Sequence, residues 1–123
     1  YSQYMWSYWY NFEFELGVHI LDGRVQRVFK KVWPDENGAS PEFPIKNTKF
    51  GWKFSLRDMS KYKTLQEYVT RLYEICPIGV ARLDIGWDST DKTYRLIEIN
   101  SAPDLTQNSS TRSMYVDFLS TKV

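Results

Sequence analysis

The run from Phe12 to Trp33 leaves this chain few ways to fold. Phe12, Phe14, Leu16, Val18 and Ile20 alternate with Glu13, Glu15, Gly17 and His19, the period-2 pattern of a strand buried on one face. Asp22-Gly23 follows, and such a pair suits a type I′ turn, in which both central residues need positive φ. The return run Arg24–Trp33 is rich in Val and Phe and stops at Pro34, which has no N–H to give a ladder. A tight turn at 22–23 sets Glu15 opposite Lys30 and Leu16 opposite Phe29. The chain must therefore build outward from an antiparallel hairpin.

Residues 34–63 hold three of the five prolines together with Asn37-Gly38, so they read as a long connector with a short strand near Trp52–Ser55. Thr64 and Glu67 have the spacing of a capping box. Leu65, Tyr68, Val69, Leu72, Tyr73 and Cys76 then form one apolar stripe at helical spacing, ended by Pro77 and Gly79. Cys76 closes the stripe and reads as a small core residue. Gly79–Asp88 and Thr93–Asn100 are strands around polar turn residues 89–92, with Trp87 facing the core, and a short helix is expected around Met114–Leu119. These elements define an α+β fold with a mostly antiparallel sheet and packed helices.

Composition narrows the function. At 123 residues the chain suits one domain. With 16 basic against 15 acidic side chains it is neither a globally basic nucleic-acid binder nor an acidic tail. A single cysteine excludes an intramolecular disulfide and a Cys-based zinc cluster. No apolar run approaches the roughly 18 residues of a membrane span, and no basic-then-apolar leader marks export, so no membrane partner and a cytoplasmic location are expected. Charge is nevertheless uneven, with ten Lys/Arg against four Asp/Glu over residues 24–63. That stretch is either a solvated basic face or a cationic wall for ATP phosphates or nucleic acid. The aromatic group Tyr4, Trp6, Tyr8, Trp9 and Tyr10 suits core packing or a subdomain interface, or else base stacking. His19, the one histidine, reads as a satisfied structural residue.

The sharpest chemistry lies near the C-terminus. Val80, Arg82 and Asp84 share one face of their strand, as do Leu96, Glu98 and Asn100 of the next. A loop over 89–93 sets Asp84 opposite Glu98 and Arg82 opposite Asn100, with opposed Cβ atoms about 4.5–5.5 Å apart. Two carboxylates so close both ionise only with a cation between them. Asp, Glu and an Asn carbonyl are hard oxygen ligands, suited to Mg²⁺ or Mn²⁺, and Mg²⁺ usually brings substrate phosphates with it. Arg82 would stabilise charge developing on a phosphoryl group or an acyl intermediate. Alternatively the carboxylates point to water and Arg82 pairs with one of them.

Arg82-Leu83-Asp84, then Leu96-Ile97-Glu98-Ile99-Asn100-Ser101-Ala102-Pro103, resembles the metal-binding signature of the ATP-grasp superfamily, particularly the D-alanine–D-alanine and ribosomal-protein glutamate ligases. Glu15-Leu16-Gly17-Val18-His19-Ile20-Leu21-Asp22-Gly23 is similar to the family's Glu-(Tyr/Phe)-Arg-Val-His-Val-x-Asp-Gly strand. Ser2-Gln3-Tyr4-Met5 resembles the hinge that holds adenine, and Lys46-Asn47 through Gly51 resembles an Asn-x-x-x-Gly segment. Two departures stand out: Gly17 replaces the family's Arg, and Asp104 replaces the Gly after Pro103.

The resemblance implies an ATP- and Mg²⁺-dependent ligase that joins a small-molecule or peptide carboxylate to an amine, less often a thiol, through an acyl-phosphate. By resemblance Asp84, Glu98 and Asn100 hold the metal and Arg82 meets the acyl-phosphate. Gln3, Tyr4, Met5, Glu15, Lys30, Lys46 and Asn47 would serve the nucleotide, with Lys31 a further candidate for phosphate contact. Thr106, Ser109 and Ser110 would meet the acceptor substrate. The chain then reads as the C-terminal portion of an ATP-grasp domain, hinge at 1–10 and core over 11–123, within a longer polypeptide whose N-terminal domains complete the nucleotide clamp. A noncatalytic ATP-grasp-like binding or structural module, or a nucleic-acid-binding domain using residues 24–63, are the alternatives.

Overall fold

The computed structural model describes residues 12–34, 51–101, 103 and 108–121. Five antiparallel strands form one sheet in the order β3-β2-β1-β4-β5. They are β1 (Phe14–Leu21), β2 (Arg24–Val32), β3 (Lys53–Arg57), β4 (Val80–Asp88) and β5 (Thr93–Asn100), joined by helices α1 (Leu65–Ile75) and α2 (Ser109–Ser120). The α+β class expected from the sequence is the one observed. No described helix is long and apolar enough to cross a membrane.

Asp22 and Gly23 have φ of +49° and +79°, as a type I′ turn requires. Just beyond the turn the expected register fails. Ile20 pairs with Val25 but His19 pairs with Arg27, so Gln26 is an extra residue in β2. Leu16 therefore faces Lys30, and Glu15 is met by Lys31 instead, Nζ to Oε1 at 3.4 Å. The cause is packing: an unbulged ladder would turn Arg27 toward the apolar face beside Val18, whereas the bulge delivers Val28 there.

The core joins Leu16, Val18, Ile20, Val28, Ala81, Leu83 and Ile85 of the sheet to Leu65 and Val69 of α1. Trp87 packs beside it against Phe14 and Tyr94, as expected. Contrary to expectation, β1 is buried on both faces: Glu15, Gly17 and His19 are buried along with Leu16 and Val18. As the central strand it is covered on its second face by Phe29, Phe54 and Tyr115.

Two local readings of α1 are corrected. Thr64 precedes the helix with helical φ and ψ and makes no side-chain cap bond, so the Thr64–Glu67 capping box is not formed. The chain enters instead from a 3₁₀ turn, Met59–Lys61, and Leu65 N donates to Tyr62 O. Cys76 leaves the helix at its C-cap with φ of −136°, which takes its side chain off the stripe and exposes it. Gln66 fastens α1 to the hairpin: Val25 N donates to Gln66 Oε1 at 2.9 Å, and Gln66 Nε2 donates to Gly23 O at 2.9 Å. The aromatic group from Tyr4 to Tyr10 lies outside the described residues.

Candidate functional site

The β4–β5 ribbon reaches the expected pairing by an unexpected route. Asp88 pairs with Thr93 across a turn at 89–92, and Ile85 pairs with Leu96. Ile97 is then an extra residue, after which Asp84 stands opposite Glu98 and Arg82 opposite Asn100. The bulge reverses the phase of β5, so Leu96 turns to the core and does not share the face of Glu98 and Asn100. One strand thus serves the core at one end and the site at the other. Asp88 pins the turn: its Oδ1 accepts from the Thr90 and Asp91 amides, and Arg95 Nε donates to its Oδ2. The Asp91 amide above all, then Arg95, holds the Asp88 carboxyl below the usual range.

Two rows of side chains cross the sheet on the face away from α1. One runs Phe29, Gly17, Asp84, Glu98; the next runs Arg27, His19, Arg82, Asn100. Asp84 is 5% exposed, and its Oδ1 accepts from Arg82 Nε at 3.0 Å. Glu98 is exposed and Asn100 half-buried. Glu15 is also enclosed on this face, beside Lys31.

His19 completes the second row. Its Nδ1 lies 2.7 Å from the Tyr115 hydroxyl of α2, which also donates to Ala81 O at 3.3 Å. Burial first, then the flanking Arg82 and Arg27 charges, lowers the imidazole to about 4. The ring is neutral near pH 7, which fits the structural role expected of it. Burial raises the Tyr115 phenol to about 12, so it stays protonated.

The structure thus brings Arg82, Asp84, Glu98, Asn100 and Glu15 to one face. Lys30 is not among them. It lies opposite Leu16 on the α1 face, its Nζ 5.2 Å from the centroid of Phe14, because the Gln26 bulge turned it there. Ser109 and Ser110 are exposed in the first turn of α2, where Asn108 Oδ1 caps the Thr111 amide at 2.8 Å. Gln3, Tyr4, Met5, Lys46, Asn47 and Thr106 lie outside the described residues. Sequence reasoning missed Phe54 and Tyr115. Gly17 marks a place where a neighbour can approach the backbone closely, but the enclosure of its face is set by the fold and not by the alternation of the strand.

Among the described residues no group of three or more His, Cys, Asp or Glu is arranged to hold a metal ion. The ribbon offers two carboxylates and an amide, which is the donor set of a cation that keeps several waters and takes phosphate oxygens. An ionised carboxylate accepts at several lone-pair sites, so the Arg82 bond leaves Asp84 able to serve as a ligand. The residues present therefore fit Mg²⁺.

No family model and no curated protein matches the sequence. The fold, by contrast, is similar to that of ATP-grasp ligases. A RiPP-associated ATP-grasp ligase from Chryseobacterium gregarium, solved with ADP and a leader and core peptide, matches with TM-score 0.58 at 15% identity, over 93% of this chain and 35% of that one. ATP-grasp ligase PsnB complexed with minimal precursor matches with TM-score 0.57 at 13% identity, over 89% and 35%. PsnB with minimal precursor, Mg and ADP gives TM-score 0.52 at 15% identity, over 79% and 27%. This chain covers 27–35% of the length of those structures.

Proposed function

We propose that the chain is the C-terminal portion of an ATP-grasp domain in an ATP-dependent ligase joining a carboxylate to an amine. The observation that carries this reading is the pairing of Asp84 with Glu98 and of Arg82 with Asn100 on one face of the sheet. The similarity of the fold to ATP-grasp ligases supports it. The substrate carboxylate oxygen attacks the γ-phosphorus and ADP departs. The amine nitrogen then attacks the acyl carbon, phosphate departs and the amine loses a proton.

Asp84, Glu98 and Asn100 would hold Mg²⁺, which neutralises charge on nucleotide phosphate oxygens when bound. The chain's own groups do the rest. Buried Asp84 keeps its orientation through Arg82 Nε, while exposed Glu98 meets ligands from solvent. Arg82 stabilises negative charge on the transferred group through its remaining N–H groups. Ser109 and Ser110, at the positive end of α2, would bind the acceptor's carboxylate. A peptide carboxylate is the favoured substrate, since one similar ligase was solved with a leader and core peptide and another with a minimal precursor.

Calorimetric titration of the intact protein with Mg-ATP tests this. Binding is expected, weakened at least about tenfold, or 1.4 kcal/mol, by Glu98→Gln. Absence of binding, or binding indifferent to that substitution, would overturn the reading. Oligonucleotide affinity that falls steeply with salt would favour a nucleic-acid role instead.

A further inference from the structure

Gly17 sits in the row that ends at Asp84 and Glu98, yet it contributes no side chain. Its space is taken. A Cβ there would lie 2.8 Å from Phe54 Cε1 and 3.3 Å from Arg82 Cδ. Phe54 belongs to β3, two strands away, and starts opposite Lys31. Its ring reaches past Phe29, edge-on at 6.4 Å between centroids, and comes to rest over β1. Only an absent side chain at position 17 permits that reach.

Two cations meet the ring. The Arg82 guanidinium carbon is 5.0 Å from its centroid and Lys31 Nζ is 5.6 Å from it, both within cation–π range. Each cation is also bonded to its own carboxylate, Arg82 to Asp84 and Lys31 to Glu15. Phe54 therefore separates two ion pairs and touches the cation of each. Arg82 donates to Asp84 through Nε, which leaves both Nη groups outside that bond. A hydrogen bond at Nε fixes one end of the guanidinium, and the Phe54 ring packs against the rest of the group.

We propose that Phe54 is the positioning residue of Arg82, holding its terminal N–H groups beside Asp84 for an anionic oxygen of the ligand. The Gly17–Phe54 pair is the structural condition for that arrangement. This role of Arg82 rests on the ligase reading, but the positioning itself is a property of the unliganded protein and is measured there.

The experiment is water exchange of the Arg82 Nε–H by ¹⁵N-edited NMR on the intact protein, with the signal assigned by its loss in Arg82→Lys. Phe54→Leu, and Gly17→Ala through its clash with the ring, should each speed that exchange about tenfold, as expected from losing a cation–π contact in a partly buried site. Phe54→Tyr keeps the ring and should keep the protection. Protection unchanged in Phe54→Leu and Gly17→Ala would overturn the proposal and leave Phe54 a packing residue only. Should Phe54→Leu unfold, Gly17→Ala alone decides between those outcomes. Mg-ATP titration of the unsubstituted protein is read separately: absence of binding refutes the ligase reading, whereas the exchange rate alone decides the positioning.

Discussion

Asp84 and Glu98 face one another, yet their environments differ, and substitution should separate them. Glu98 is exposed on edge strand β5, so Glu98→Gln should leave the melting temperature within about 3 °C, a surface change of under about 0.5 kcal/mol. Asp84 is enclosed and bonded to Arg82. Asp84→Asn strips the charge from Arg82's partner and should cost about 1–3 kcal/mol in urea unfolding. Equal stability losses in the two variants would contradict the assigned burial. His19 gives a pH signature. Its native value lies near 4 against 6.5 for the free side chain. Between those values the unfolded chain takes up a proton that the native state refuses, so stability falls as pH drops from 6.5 to 4. The loss is at most about 3 kcal/mol. Comparing urea midpoints of the protein and His19→Gln across that window isolates the effect, because the carboxylates titrate in both. A slope unchanged in His19→Gln would refute it.

Strand pairing decides what reaches the site, and its outline was readable in advance. Asp22-Gly23 announced the hairpin, and the alternation of Arg82 with Asp84 announced the shared face. Both bulges were not legible. Gln26 and Ile97 are ordinary strand residues, and only the fit of Val28 and Leu96 into the core selects them as the extra residues. One bulge moved Lys30 off the site; the other corrected the ribbon's phase so that the expected Asp84–Glu98 pair still formed. The Thr64 cap failed because Thr64 already has helical φ and ψ, not the extended backbone from which a side chain reaches back to the first-turn amides. Gln66 holds α1 against the hairpin through two backbone bonds. Gln66→Ala should therefore lose about 1–3 kcal/mol, the sum of two ordinary hydrogen bonds, and amide exchange of Val25 should speed up. Unaltered exchange at Val25 would show that the bond carries no weight. Gly23→Ala should be worse still, because its φ is +79° and a Cβ would meet the Tyr73 ring at 2.7 Å.

For the molecule as a whole, the sheet has two unlike faces: one buries the apolar core beneath α1, the other gathers Glu15, His19, Arg82, Asp84, Glu98 and Asn100. On the proposed ligase reading, the second face is where an anionic ligand with its metal would lie. Binding only the native state, Mg-ATP at 100 times its Kd should add about 2.7 kcal/mol of stability, and a tenfold weaker affinity in Glu98→Gln should remove about half of that gain. Paramagnetic broadening by Mn²⁺-ATP tests the claim most directly. With Mn²⁺ in place of Mg²⁺, the amide signals of Asp84, Glu98 and Asn100 should broaden first in the intact protein, and Glu98→Gln should prevent it. Broadening centred elsewhere, or unaffected by Glu98→Gln, would contradict the account.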